Sequence, residues 1–185
     1  MNLVIDIGNT RSKFSLFNRG EVLINVPVDE FKPSDIDLLK NEHPQLDKAI
    51  LSSVKDYSPE LKQKLKQSFS TFIELSEDTP LPIENCYRTK DTLGKDRIAA
   101  VVGAFDLYPN TNVLVIDAGT ALTYDIINAK GQYLGGNISP GLEMRFKALN
   151  TFTGKLPLIK PNDFSKLFGT STDEAISAGV QHGFI

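Results

Sequence analysis

The spacing of apolar positions changes several times along this 185-residue chain. Leu3-Val4-Ile5 is a short apolar run ending in Asp6. After a break at Gly8, Ser12, Phe14 and Leu16 fall on alternate positions. Short runs and period-two alternation predict strands, so the start of the chain reads as a β-hairpin followed by a turn at Asn18-Arg19-Gly20. The same order returns 111 residues later. Val113-Leu114-Val115-Ile116 ends in Asp117, Gly119 breaks the run, Thr123, Asp125 and Ile127 show partial alternation, and Asn128-Ala129-Lys130-Gly131 turns. VIDIGNTRSKFSLFNRG, from Val4, and VIDAGTALTYDIINAKG, from Val115, align without a gap. That one offset also carries Gly8 to Gly119, Gly20 to Gly131 and Leu23 to Leu134. Repeated matches at one offset predict an internal duplication, and both apolar runs suit buried central strands.

Between the copies the period becomes helical. Pro33–Glu42 and Pro59–Phe69 each begin with proline, which favours the first helical position, while Ala49–Val54 and Thr71–Leu75 read as strands. In Asp96–Tyr108, Ile98, Val101, Val102 and Phe105 form one apolar stripe, Asp96 and Arg97 fall in the first turn, and Pro109-Asn110 ends the helix. Loop composition concentrates at Ser76–Asn85 and Gly154–Asn162. The stretch Asp173–Ile185 reads as a helix with Thr170, Ser171 or Thr172 as N-cap and no signal closing its end. The pattern as a whole is α/β.

Composition narrows the classes. At 41% hydrophobic residues the chain can bury a sizeable core. Its net charge of -3 and pI of about 5.4 give no basic excess for a nucleic-acid backbone. The start lacks a signal-peptide pattern and no run of apolar residues is long enough to span a membrane, so a cytoplasmic protein with neither membrane nor nucleic acid as partner is expected. One cysteine and two histidines exclude an internal disulfide and a Cys/His zinc site, so a metal here is expected on oxygen ligands. His43 is expected at a surface helix end, and His182 in solvent or in the core of the late helix. Lys62, Lys64 and Lys66 read as a solvated helix face, and Cys86 as a small buried hydrophobe or a lining of a substrate pocket. GGNISPG, Gly135 to Gly141, reads as a plain turn between strand and helix.

A strand, then Asp-x-Gly, then a hairpin differs from the glycine-rich strand-to-helix turns of dinucleotide and P-loop sites, and neither GxGxxG nor GxxxxGK[ST] is present. In a tight hairpin Gly8 and Gly119 allow backbone N–H groups close to phosphate oxygens, Asn9, Thr10, Ser12 and Thr120 add polar contacts, and Asp6 and Asp117 supply carboxylates for a hard cation. Two such hairpins facing one another would hold the phosphates of one nucleotide from both sides. Asp96 suits a base that takes a proton from an acceptor hydroxyl, and Arg97 suits bidentate binding of a carboxylate. The pair equally suits a plain helix N-terminus, with Asp favoured by the dipole and Arg solvated.

DIGNT (Asp6–Thr10), GKDRIAAVVGA (Gly94–Ala104), DAGTALTYD (Asp117–Asp125) and GGNISPG together resemble the type III pantothenate kinases, of the acetate and sugar kinase, Hsc70 and actin superfamily. The resemblance implies two duplicated ribonuclease-H-like domains, at residues 1–111 and 112–185, the second incomplete at its C-terminal end. It implies ATP-dependent phosphorylation of pantothenate to 4′-phosphopantothenate, the first step toward coenzyme A, by a homodimer. It places ATP on Asp6, Ile7, Gly8, Asn9, Thr10, Arg11, Ser12, Lys13, Gly119 and Thr120, with Mg²⁺ near Asp6 and a monovalent cation, K⁺ or NH₄⁺, on Asp117. It places pantothenate on Tyr87, Gly94, Lys95, Asp96, Arg97 and Thr172, with Asp96 as catalytic base. A phosphohydrolase of the same superfamily, needing no carboxylate partner, and a non-catalytic nucleotide-binding accessory protein are the alternatives.

Overall fold

The computed structural model describes residues 1–184. By packing the chain divides into two units, Met1–Val113 with Ile127–Leu134, and Leu114–Ile126 with the chain from Gly135 on.

In the first unit β1 (Asn2–Ile7) and β2 (Ser12–Asn18) form the expected antiparallel hairpin. β3 (Glu21–Val28) continues it through a turn in which Arg19 and Gly20 take positive φ, 50° and 88°. β4 (Lys48–Ser53) pairs in parallel with the other edge of β1, and β5 (Thr71–Glu74) pairs in parallel with β4, giving the order β3-β2-β1-β4-β5. β1 is therefore central, as its apolar run predicts. The connections run through α1 (Pro33–Glu42) and α2 (Pro59–Ser68). Each starts at proline, where a missing N–H leaves no bond unmade. Asp35 accepts from the Lys32 N–H at 2.7 Å, and the Ser58 hydroxyl accepts from the Leu61 N–H at 3.1 Å. Leu3, Ile5, Leu16 and Leu51 meet Ile36, Leu39, Leu61 and Leu65 in one core. Full burial of each such side chain is worth about 1.5–3 kcal/mol.

α3 (Lys95–Leu107) packs on β4, with Ile98 and Val101 buried and Val102 and Phe105 half-buried. Lys62 and Lys64 are paired with Glu74 and Asp37, each at 2.6 Å, so part of the lysine run forms ion pairs instead of standing free in solvent. Cys86 is exposed, which corrects the expectation of a buried hydrophobe. His43 caps the end of α1 as expected.

The second sheet has the order β6-β9-β8-β7, where β6 is Glu84–Asn85, β7 Val113–Ala118, β8 Ala121–Ile127 and β9 Gln132–Pro140. Two expectations fail here. β7 stands at the sheet's end and not at its centre, so Leu114 and Ile116 are 54% and 56% exposed. A run of apolar side chains does not itself choose between centre and edge; the neighbours do. GGNISPG is not a plain turn: Gly135–Pro140 complete β9, and Gly141 is the N-cap of α4 (Leu142–Phe152). α5 (Thr172–His182) has Ser171 as N-cap and ends at Gly183, whose N–H returns to the Gly179 carbonyl at 3.2 Å, so a closing glycine is present after all. His182 is exposed at the end of that helix. Ile185, the last residue of the expected helix, lies outside the described residues. Phe146, Ile176 and Val180 pack α4 to α5. Among the described residues no helix is long and apolar enough to cross a membrane.

Candidate active site

The first hairpin turn is built by its glycine. Gly8 N–H donates to the Arg11 carbonyl at 3.1 Å, and a Cβ on Gly8 would stand 2.7 Å from that same oxygen, so a larger residue would force the turn open. Asn9, Thr10 and Arg11 are exposed at the tip. Ile7 and Ser12 flank the turn as a buried register pair, so Ile7 belongs to the core and has only its backbone to offer a ligand. One step further along the ladder Asp6 faces Lys13, and their side chains pair at 3.2 Å with the Asp6 carboxylate about a quarter exposed. In β4 the residue beside Asp6 is Ser52, whose hydroxyl is buried without a hydrogen-bond partner among the described residues.

The GKDR segment forms the start of α3. Gly94 is the N-cap, and Asp96 Oδ1 accepts from the Arg97 N–H at 2.8 Å, satisfying one of the free donors of the first turn. A Cβ on Gly94 would lie 2.5 Å from Asp96 Oδ1, so the glycine gives this exposed carboxylate room to fold back. Arg97 is 5% exposed, and its guanidinium lies over the Tyr87 ring, 5.6 Å from the centroid. This corrects the reading of Arg97 as a solvated end of the helix. Tyr87 in turn stacks on the fully buried Tyr133, with centroids 6.0 Å apart and 10° between the planes. β6 brings these rings together by pairing in parallel with the start of β9, Asn85 opposite Tyr133. The Cys86 N–H donates to the Tyr133 carbonyl at 3.1 Å, and the Tyr87 N–H to Asn85 Oδ1 at 3.0 Å. Tyr133 carries no motif, and only the strand pairing reveals it as the floor of this stack.

Lys95 does not stand free. Its ammonium pairs with Glu77 at 3.1 Å, and the Glu77 carboxyl is held below the usual range by a hydrogen bond from its own backbone first and by Lys95 second. Lys95 also lines a cavity of about 450 Å³ beyond the carboxyl ends of β4 and β5, with Ser53, Tyr57, Lys62 and Glu74. Within it the Tyr57 hydroxyl donates to Glu74 Oε1 at 2.6 Å. Burial first, and then this bond, push the hydroxyl well above the usual tyrosine range. Burial alone would raise the Glu74 carboxyl, but hydrogen bonds from Lys62 and Tyr57 and the charges of Lys62 and Lys66 outweigh it and hold it low.

In the second unit Gly119 N–H donates to the Ala121 carbonyl at 2.9 Å, closing a tighter turn than the first hairpin's, and Gly141 N–H donates to the Thr120 carbonyl at 3.0 Å. Asp117, Gly119 and Thr120 are exposed. Thr172 is the first residue of α5, where Ser171 Oγ accepts from the Glu174 N–H at 3.3 Å, and the Thr170 N–H and hydroxyl donate to Glu174 at 2.7 and 2.8 Å. Among the described residues no group of three or more His, Cys, Asp or Glu side chains is arranged to hold a metal. Asp6, paired with Lys13, and Asp117, exposed, each present a single carboxylate of the oxygen type that hard cations take.

Comparison with known proteins bears on this geometry. A family model described as type III pantothenate kinase matches residues 2–185. Curated proteins named type III pantothenate kinase from Phocaeicola vulgatus and Christiangramia forsetii are 47% and 46% identical, each over 99% of this chain and 75% of their own length. A solved Campylobacter jejuni structure, described as a conserved Baf family transcriptional activator, superposes with a TM-score of 0.54 at 24% identity, covering 98% of this chain and 74% of that one. That likeness speaks to the fold alone.

Proposed function

The chain belongs to the type III pantothenate kinase family, and we propose that it performs the ATP-dependent phosphorylation of pantothenate, in coenzyme A biosynthesis, through a base at Asp96 and a carboxylate anchor at Arg97. The observation that carries this reading is the first turn of α3, where an exposed carboxylate adjoins a buried guanidinium stacked on Tyr87. Phosphoryl transfer asks a protein mainly for positioning and charge stabilisation. Pantothenate has a hydroxyl at one end and a carboxylate at the other, and the two neighbouring residues suit the two ends. Arg97, oriented by its stack, presents a planar fork to the carboxylate. Asp96, with Oδ1 held by the Arg97 N–H, turns its other oxygen to the hydroxyl and takes its proton. As the new oxygen–phosphorus bond forms, the bond from the γ-phosphorus to the bridging oxygen breaks and ADP leaves with that electron pair.

On this reading the turn from Gly8 to Arg11 holds phosphate by its backbone N–H groups, and Lys13 shares its charge between Asp6 and the phosphates. Asp6 would hold Mg²⁺, which when bound would supply positive charge against the nucleotide phosphates. Asp117 would hold a monovalent cation, Gly119 and Thr120 are candidate ATP contacts in the second hairpin, and Tyr87, Lys95 and, separately, Thr172 are the remaining candidate pantothenate contacts. The 111-residue repeat and the family support a duplicated ribonuclease-H-like, actin-like architecture, with domains at residues 1–111 and 112–185; a cytoplasmic homodimer belongs to the same reading.

The test is product identity. The chain is incubated with ATP, Mg²⁺ and K⁺, with and without pantothenate, and ADP and phosphopantothenate are quantified. ADP formed only with pantothenate and matched by phosphopantothenate is the expected result. Phosphate released equally without pantothenate would overturn it in favour of a phosphohydrolase.

A further inference from the structure

One polar atom of the first unit lacks what its burial demands. The Ser52 hydroxyl of β4 has no hydrogen-bond partner among the described residues, and Ser52 as a whole is only 9% exposed. Buried hydroxyls are almost always bonded, so a native exception points to a partner that is engaged elsewhere. The next residue shows the contrast, since the Ser53 hydroxyl donates to the Lys55 carbonyl at 2.5 Å. Strand register identifies the partner. Lys13 of β2, Asp6 of β1 and Ser52 of β4 stand side by side in one row across the sheet. They lie on the face away from Leu3, Ile5, Ala49 and Leu51, which are buried in the core, because successive strand residues alternate between faces. Two places back along the two strands Val4 and Ile50 are apolar, and past the last register pair of β4 with β5, Leu51 with Glu74, comes the buried Leu75. Asp6 is the polar side chain next to Ser52 in this row, and its carboxylate turns the other way, to the Lys13 ammonium at 3.2 Å.

We propose that Ser52 is a positioning residue for Asp6: with nucleotide bound, Lys13 turns to the phosphates and the Ser52 hydroxyl takes its place, donating to one oxygen of the Asp6 carboxylate while the other faces Mg²⁺. This rests on the reading in which Asp6 would hold Mg²⁺. A carboxylate released by an ammonium needs another donor to fix its direction, and carboxylates that bind metals are themselves held by hydrogen bonds. The two donors differ in freedom. The Lys13 side chain is 60% exposed and long enough to swing out, whereas Ser52 is short and lies within β4. Neighbouring strands run about 4.8 Å apart, so rotation about the Ser52 Cα–Cβ bond is enough to bring its hydroxyl to the carboxylate.

Affinity for ADP is measured by calorimetry with and without Mg²⁺ in the parent, Ser52→Ala and Ser52→Thr, beside thermal melts of the unliganded chains. In Ser52→Ala the gain in affinity that Mg²⁺ brings should fall by about 10-fold or more. Metal-free affinity and the melt should not fall, because the hydroxyl removed makes no bond in the unliganded chain. Ser52→Thr keeps a hydroxyl and should keep the gain. In an Asp6→Asn background Ser52→Ala should cost nothing further, since Ser52 acts through that carboxylate. An undiminished gain in Ser52→Ala overturns the proposal, as does a full additional loss in the Asp6→Asn background. A lowered melt or a failure of Ser52→Ala to fold makes the hydroxyl structural and overturns it equally. A parent that gains nothing from Mg²⁺ removes the metal from Asp6 and this role of Ser52 with it. No pantothenate enters the measurement, so a failure here and a failure to form phosphopantothenate are distinguishable.

Discussion

Replacing Gly94 by Ala asks whether the Asp96 carboxylate is held where it must act. Gly94 has φ −55° and ψ 131°, angles open to alanine, so the backbone need not move. The new Cβ would stand 2.5 Å from Asp96 Oδ1. Non-bonded contact needs about 3.5 Å, so the carboxylate must retreat by roughly 1 Å or rotate away from the Arg97 N–H. Misplacement on that scale costs on the order of 10²-fold in a positioned reaction step. The fold should be nearly indifferent, because the clash is with a movable side chain and alanine in place of glycine at an N-cap costs up to about 1 kcal/mol. That corresponds to a melting shift of roughly 2–4 °C for a chain of this size. The assay is kcat for phosphopantothenate formation at saturating ATP, beside a thermal melt. A fall of about 10²-fold in kcat with a nearly unchanged melt is expected. An unchanged kcat would refute the idea that the folded-back carboxylate is the acting one, and a collapse of the melt would make the glycine structural.

Two further outcomes follow from the same geometry. Arg97→Lys keeps the charge but loses the planar fork and the stack on Tyr87, and charge-assisted hydrogen bonds are worth about 1.5–3 kcal/mol, so KM for pantothenate should rise by roughly 10- to 100-fold with a smaller change in kcat. An unchanged KM would remove Arg97 from the carboxylate site. Tyr57, whose hydroxyl is held protonated by burial first and by Glu74 second, has a folded pKa above its ordinary 10.0. The stability this contributes is complete below about pH 10 and is lost as pH rises further, while that of Glu74, held low, is present above the ordinary 4.5 and lost as pH falls below it. Denaturant midpoints across pH 8 to 11.5 should therefore decline above about pH 10 in the parent and decline less in Tyr57→Phe. A parallel decline in both would contradict the assignment.

Where local chemistry decides, the sequence reads well. Pro33 at the first helical position and the Asp35 cap set α1 at its expected bounds, and Pro59 with the Ser58 cap sets α2 to within one residue of them. The turns at Gly20 and Gly131 are legible because both glycines take positive φ. Asp96 and Arg97 fall in the first turn of α3 as the apolar stripe requires. What a segment packs against is less legible. Leu114 and Ile116 read as central because their side chains do, yet the neighbours of β7 place them at an edge. The cover that Tyr87 gives Arg97, which decides against the solvated alternative, and the place of Tyr133 beneath it are invisible until β6 pairs with β9. Cys86, among the most often buried residue types, is carried out to the surface by its connecting segment. Each miss turns on a partner distant in sequence.

The most direct test of the central claim is the rate of phosphopantothenate formation by Asp96→Asn beside the parent, with nucleotide affinity measured in both. Asparagine keeps the size and the hydrogen bond to the Arg97 N–H but cannot take the acceptor proton, so kcat should fall by about 10²-fold or more while ATP binds as before. A variant as fast as the parent would contradict the account, because the acceptor's proton would then leave by a route that does not involve Asp96.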